Sequence, residues 1–408
     1  MTTRLKGLLP AVAALALSST GLAAWPASAR PITVAQAVDN GLTDSPLIRA
    51  AEASVAAAEA RARQAGVHSN PEVEVELENA LGSGPYSGLG GSEVTVALGQ
   101  RFERGGKRPA RVALAMAEVE LASAQLDRVR ADLVRDVRTA YADLAAASGR
   151  VALAREATAR SRELVRTATL LVETGRDPPL RQFRAEAELA EAEAAEQVAE
   201  AELERAARAL ATLIGSPEEQ FEPEGPPDRR PADQTVGGAG IAHRIAQAER
   251  RIADARIDVQ VSGARSDITV RAGVRGYAES GDVALVAGFS MPLAIRDTNT
   301  GNIEAARADL LAADARLAQV RFDVDRERRD AETLLTAADA RLTALEGPGL
   351  DQAREAVRVA ELGYSAGRFS LLEVLDAQTA LNELELSIIE ARRDRAKAIA
   401  ALERAHSL

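Results

Sequence analysis

Residues 367–378 read Gly-Arg-Phe-Ser-Leu-Leu-Glu-Val-Leu-Asp-Ala-Gln, and they decide the fold because they stop one long helical pattern and start another. Gly367 supplies the stop, as a glycine just past the last periodic residue. The new helix opens with Glu373 and Asp376, three residues apart, which puts both carboxylates on one face about one turn apart. A related turn lies upstream at Thr174-Gly175-Arg176-Asp177-Pro178-Pro179-Leu180, where Gly175 and Arg176 stand 192 residues before Gly367 and Arg368. Two hairpin tips in matching places imply a duplicated chain whose long helices turn back at one common end.

Working outward from the tips, residues 107–174 hold almost no breaker except Pro109 and Gly149. Leu126, Val129, Leu133, Val137, Ala140, Leu144, Ala147 and Val151 recur at the helical repeat. A continuous helix there is roughly 100 Å long, too long for one compact domain to wrap, so it must lie beside other long helices. Leu180–Ile214 returns antiparallel to it. Upstream, residues 33–66 are predicted to form one helix. After Asn70-Pro71, Glu72–Glu78 alternates acid with apolar residue, the period of a strand with one oily and one charged face. Val94, Val96 and Leu98 alternate again, completing a β-hairpin over 71–103 with a glycine-rich outer loop.

Pro217, Pro223, Pro226, Pro227 and Pro231 mark 216–236 as a linker. The order then repeats, with a helix over 238–264, a β-hairpin over 267–292 and a very long helix over 303–364. Gly347-Pro348-Gly349 interrupts that helix, and Leu371–Leu408 is the last one. The organisation expected is a leader over 1–29, a first repeat over 30–215, the linker, and a second repeat over 237–408. The fold class is mainly α with a small β part: duplicated long antiparallel helical hairpins plus two β-hairpins.

Composition narrows the function classes. The 408 residues contain no cysteine, which excludes disulfides, thiol catalysis, cysteine metal sites and a cysteine-borne lipid. Arg4 and Lys6, the apolar run Leu8–Leu17 and Ala27-Ser28-Ala29 have the layout of a cleaved secretory signal. The formal net charge of −11 makes nucleic acid an unsuitable partner for an exported chain. No later stretch reaches 18 uninterrupted apolar residues, so a bundle of membrane helices is excluded, whereas a membrane β-barrel is not. Four strands of about ten residues suit a tilted crossing but cannot close a barrel. If they span a membrane, several chains must pool them, with Val73, Val75 and Leu77 towards lipid and Glu72, Glu74, Glu76 and Glu78 towards the lumen. The soluble alternative is a sheet capping a helical stalk, and the few aromatics available for a girdle (Tyr86, Phe102, Tyr277, Phe289) favour it. His68, His243 and His406 lack ligand spacing, and Met1, Met116 and Met291 form no thioether cluster, so no metal cage and no cofactor is expected. Phosphate loops, nucleophile elbows and histidine–glutamate metal motifs are missing too.

Asn70-Pro71 opening the first strand, Gln100-Arg101-Phe102-Glu103-Arg104-Gly105-Gly106-Lys107-Arg108 leading into the long helix, and the 367–378 tip together resemble the outer-membrane efflux proteins of the TolC type. The resemblance covers essentially all of residues 31–408. Its Gly-Gly-Lys-Arg stretch is similar to the branch serving heavy-metal efflux pumps of the resistance-nodulation-division class. The resemblance implies a homotrimer that pools twelve strands in the outer membrane above a periplasmic helical tunnel. It also implies docking on a periplasmic adaptor and an inner-membrane pump. By the same resemblance Glu373 and Asp376 are aperture acids, which as rings of like charge would favour cations, and Tyr364 is a tip tyrosine that helps bond the closed state. Arg181 stands where relatives can have an acid, and is expected to pair with tip carboxylates of a neighbouring helix. Gly175, Arg176, Gly367, Arg368, Leu371 and Leu372 form the tip surface expected to meet the adaptor. A duct for drugs or secreted protein, and a periplasmic coiled-coil adaptor, are the competing readings.

Overall fold

The protein is described by a computed structural model covering residues 29–227 and 240–407; the expected leader, apart from Ala29, lies outside the described residues. In chain order the elements are β1 (Arg30–Ile32), α1 (Val34–Asp44), α2 (Pro46–Ala65), β2 (Glu72–Glu78), β3 (Glu93–Phe102), α3 (Lys107–Glu173), α4 (Pro179–Leu213), β4 (Phe221–Pro223), α5 (Ile241–Gly263), β5 (Ile268–Tyr277), β6 (Val283–Ser290), α6 (Thr300–Leu345), α7 (Pro348–Ser365) and α8 (Leu371–Ser407).

The 67 residues of α3 form one uninterrupted helix. Pro109 falls in its first turn, where the missing N–H has no intrahelical partner to lose. Gly149 lies opposite α8, where an added Cβ would sit 3.5 Å from Ile389, so the glycine sets the spacing between the two rods. The second rod is divided. α6 ends at Leu345, and Pro348 occupies the first turn of α7.

Two sequence expectations are corrected. The single helix over 33–66 is split at Ser45-Pro46, because Ser45 adopts an extended conformation (φ −64°, ψ 129°) and accepts the Leu47 N–H, while Pro46 starts the next helix. The proline begins a helix here instead of kinking one. The linker over 216–236 is not wholly irregular either. Phe221–Pro223 pairs in parallel with Arg30–Ile32, and Phe221 is buried. The Tyr141 hydroxyl lies 3.1 Å from the Ile32 carbonyl and 3.0 Å from that of Glu224, which ties this ribbon to α3. Val137, Leu144, Leu210 and Ile214 pack around it. Residues 228–236 of the linker lie outside the described residues.

β2, β3, β5 and β6 form one antiparallel sheet in that order, the two repeats meeting at β3 and β5. The register aligns Val75, Val96, Val274 and Leu285 in one cross-strand row. Val73, Leu77, Val94, Leu98, Val270, Val283 and Phe289 share that face, and all are exposed. The opposite face carries Glu72, Glu74, Glu76, Glu78, Glu93, Arg101, Arg271 and Arg275. Arg271 pairs with Glu74 at 2.8 Å, and Arg275 reaches Glu78 at 2.7 Å and Glu93 at 3.0 Å. The sheet thus has one oily face and one charged face, and among the described residues its outer strands, β2 and β6, have no strand partner on one side.

The helices form a matching succession. Near the sheet the packing order is α2–α3–α5–α6, and near the tips it is α4–α3–α8–α7. Neither succession closes on itself through a substantial contact. No described helix is long and apolar enough to cross a membrane.

Candidate functional site at the hairpin tips

Both tips are built by the same device. Gly175 (φ 70°) and Gly367 (φ 73°) take the left-handed conformation that ends a helix without a Cβ clash. At the first, the Arg176 N–H donates to the Leu171 carbonyl at 2.8 Å and the Gly175 N–H to that of Val172 at 3.0 Å; at the second, Arg368 donates to Gly363 at 2.8 Å and Gly367 to Tyr364 at 2.9 Å. These are two Schellman motifs in equivalent positions. The second tip folds tighter. The Phe369 ring lies across Gly363, where a Cβ would come within 2.1 Å of it.

Asp177 joins the two tips. Its carboxylate is only 7% exposed. One oxygen accepts the Tyr364 hydroxyl at 3.1 Å, and the other is ion-paired to Arg181, one helical turn further on. Burying a carboxylate is costly unless donors replace its water, and here a phenol and a guanidinium do so. Tyr364 is itself buried. Burial first, and then the hydrogen bond to Asp177, push its pKa up to about 12. Arg176 lies against the other turn, its Nη2 3.0 Å from the place a Cβ on Gly367 would occupy. Beneath this cluster, Leu164, Ala168, Leu171, Ala185, Ala360, Val374 and Leu375 form one apolar core drawn from α3, α4, α7 and α8.

The structure therefore brings Tyr364, Arg181, Arg176 and Gly367 together around Asp177, a residue to which sequence reasoning gave no role. Within the chain Arg181 pairs with Asp177, not with Glu373 or Asp376. The available signal was an acid placed immediately before Pro178-Pro179, four residues from an arginine on the incoming helix.

Glu373 and Asp376 stand apart from this cluster. The Glu373 carboxylate accepts the Ser370 N–H at 2.6 Å and the Ser370 hydroxyl at 2.9 Å, and the Glu373 N–H lies 3.4 Å from Ser370 Oγ. This is a reciprocal cap at the start of α8. The backbone hydrogen bond from Ser370, followed by that of its hydroxyl, holds the Glu373 carboxyl below its ordinary range. Asp376 is exposed and pairs with none of the described residues. Gly175, Arg176, Gly367, Arg368 and Leu372 are exposed at the tip surface. Leu371, expected among them, is 2% exposed and belongs to the tip core; it is the first apolar residue of α8 to turn inward. Leu180 and Phe183 at the start of α4 and Phe369 just before α8 are exposed as well, apolar tip residues the sequence reading left out. Among the described residues no group of three or more histidine, aspartate or glutamate side chains could hold a metal ion.

Comparison with known proteins identifies the family and the fold. The profile of the family described as outer membrane efflux protein matches residues 37–216 and 234–406. The nickel-cobalt-cadmium resistance protein NccC of Alcaligenes xylosoxydans xylosoxydans is 34% identical over 330 residues, which is 80% of this chain and 75% of NccC. The cobalt-zinc-cadmium resistance protein CzcC of Cupriavidus metallidurans is 30% identical over 383 residues, 90% of this chain and 89% of CzcC. Among solved structures, CusC superposes with a TM-score of 0.77 at 18% identity, covering 91% of each chain. The outer membrane protein VceC of Vibrio cholerae superposes with a TM-score of 0.74 at 22% identity, covering 92% of this chain and 96% of VceC.

Proposed function

This chain belongs to the outer membrane efflux protein family, and from that premise we propose that three copies form a duct that passively conducts divalent heavy-metal cations out of the periplasm. The chain is an outer-membrane efflux channel component, its sheet in the membrane and most of its helices in the periplasm. The observation that carries the assembly is the sheet's open geometry. With an oily face outward and two unpaired edge strands, one copy would leave backbone groups unsatisfied in lipid. Three copies supply twelve strands, and the open α4 and α7 flanks continue the closure below. Energy then comes from outside the chain, through a periplasmic adaptor that meets the tips and an inner-membrane pump of the resistance-nodulation-division class.

The cargo follows from the relatives named for nickel, cobalt, zinc and cadmium resistance. The charged sheet face and the exposed carboxylates of Glu373 and Asp376 act as fixed charges that favour cations, not as ligands that hold them. At the tip, Tyr364–Asp177–Arg181 is the latch of the shut state, while Asp376, and Glu373 beside its Ser370 cap, ring the aperture.

Two measurements test this. A deletion strain should lose tolerance to zinc, cobalt, cadmium or nickel and regain it with the intact gene; loss of tolerance to drugs alone would overturn the cargo. In planar bilayers the Glu373→Ala/Asp376→Ala double variant should lose cation preference, and traces matching the unaltered protein would remove the aperture assignment.

A further inference from the structure

Where the sheet passes into the helices, the chain reverses its overall charge. Phe102 pairs with Ile268 and Ser290 with Thr269, so β3, β5 and β6 all end or begin at this boundary. Arg104 follows β3, Arg265 precedes β5 and Arg296 follows β6. All three are exposed, and none pairs with a carboxylate among the described residues. Of the acids nearby, two are held by cations and the third, beside Arg296, by a backbone N–H. Asp267 accepts Lys107 Nζ at 2.8 Å and the Arg104 N–H at 3.2 Å. Glu103 holds Arg111 at 2.7 Å, and Asp297 accepts the Asn299 N–H at 2.9 Å. An acidic protein thus presents unneutralised guanidiniums at one level.

A cleft of about 440 Å³ opens at that level, lined by Arg104, Gly105, Arg265 and Ser266 on one side and Met291, Pro292, Leu293, Ala294 and Ile295 on the other. Its two ends differ chemically. The basic end is held in place: Gly105 (φ 75°) has no Cβ, and the Arg265 side chain lies over it, closer than a Cβ would permit at 2.5 Å. Arg104 Nη1 rests 3.6 Å from Met291 Sδ. The other end is oily and open, with Leu293 70% and Ile295 78% exposed. In the chain it follows closely on Phe289, an exposed residue of β6 on the sheet's oily face.

We propose that this cleft seats an anionic glycerophospholipid of the inner leaflet, its phosphate between Arg104 and Arg265 and its acyl chain along Leu293 and Ile295. The charge fits a phosphate diester, because a planar guanidinium can donate two parallel hydrogen bonds to its oxygens. The oily floor fits the chain of the same molecule and would be wasted on a free anion. The leaflet follows from topology, since the cleft lies at the helical, periplasmic end of the strands. The inference rests on the sheet's place in the outer membrane and is independent of cargo and gate.

The test titrates the full assembled chain in detergent with phosphatidylglycerol, with phosphatidylcholine of the same acyl chains, and with inorganic phosphate, read by native mass spectrometry. Phosphatidylglycerol should bind more tightly than phosphatidylcholine. The Arg104→Gln/Arg265→Gln variant should bind it about thirtyfold more weakly, at roughly fivefold per basic side chain near a membrane surface. Arg104→Lys/Arg265→Lys should recover most of that loss. Equal phosphatidylglycerol binding by wild type and the glutamine variant would overturn the proposal, as would full displacement by inorganic phosphate. Because the chain has no cysteine, Leu293→Cys offers a unique labelling site that leaves both arginines intact. A fluorophore there should be quenched by acyl-chain-brominated lipid. A label shielded from lipid would mean that a neighbouring copy fills the cleft, and the proposal would fall. Conductance and metal tolerance should be unchanged in the glutamine variant.

Discussion

The Asp177 carboxylate is almost wholly shielded from water, and the two donors it holds come from different directions: Tyr364 from the other hairpin and Arg181 from its own. Tyr364→Phe removes one of them without changing the packing. Hydrogen bonds to charged groups contribute about 1.5–3 kcal/mol, so thermal unfolding should report a loss of that order, and single-channel recordings should show more frequent opening. The phenol also makes a pH window. Its folded pKa of about 12 exceeds the ordinary 10.0, so folding favours the protonated phenol. That contribution is fully present below about pH 10 and is lost as pH rises through about 12. The difference in ultraviolet tyrosinate absorbance between wild type and Tyr364→Phe should therefore appear near the upper end of that interval, together with tip opening. Sequence reading found Tyr364 and Arg181 but not the carboxylate between them. Asp177 stands in a turn, and no periodicity reveals which turn residues become buried when two distant segments meet.

At the scale of elements, the second tip depends on glycines for two separate reasons. Gly367 is needed for its backbone angle, whereas Gly363 is needed for space beneath the Phe369 ring. Gly363→Ala should force that ring out and cost about 1–3 kcal/mol as an overpacking change, seen in denaturant unfolding and in protease sensitivity of the α7–α8 turn. The long rods, the two β-hairpins and the division of the second rod were legible, because helical and strand periods persist there over many residues and Gly347-Pro348-Gly349 is an unambiguous interruption. The α1–α2 boundary was not. Alanines on both sides keep a helical composition, and Pro46 is compatible with a helix that starts as well as with one that breaks. The ribbon of β1 and β4 was hidden because three residues are too few to show alternation, and its partners lie about 190 positions apart. Tyr141 braces this pairing from α3, and its replacement by phenylalanine would remove the one hydroxyl that the Ile32 and Glu224 carbonyls share, leaving the backbone hydrogen bond from Glu224 to Ile32 in place.

For the whole molecule, the decisive property is that sheet and helix wall are both left open at their flanks. Leu285 is 88% exposed in the middle row of the oily face. Leu285→Arg places a charge there at a cost of about 2–4 kcal/mol per copy near the bilayer midplane. We expect membrane fractionation and native electrophoresis to show loss of the proposed outer-membrane trimer, with the helical circular dichroism of the isolated chain retained. Sequence alone supplied the conditional arithmetic: four short strands cannot close a barrel, so if they span a membrane, copies must combine. Which helices flank the opening needed three-dimensional contacts.

One asymmetry between the repeats has a mechanical consequence. The first rod runs unbroken from the sheet end to its tip, whereas the second is interrupted at Glu346–Gly347 before reaching its own. A push at the tips meets a stiff strut on one side and a jointed one on the other. In the proposed three-copy duct the jointed arm would take up the displacement below its elbow, so that the portal would widen while the membrane ring keeps its diameter.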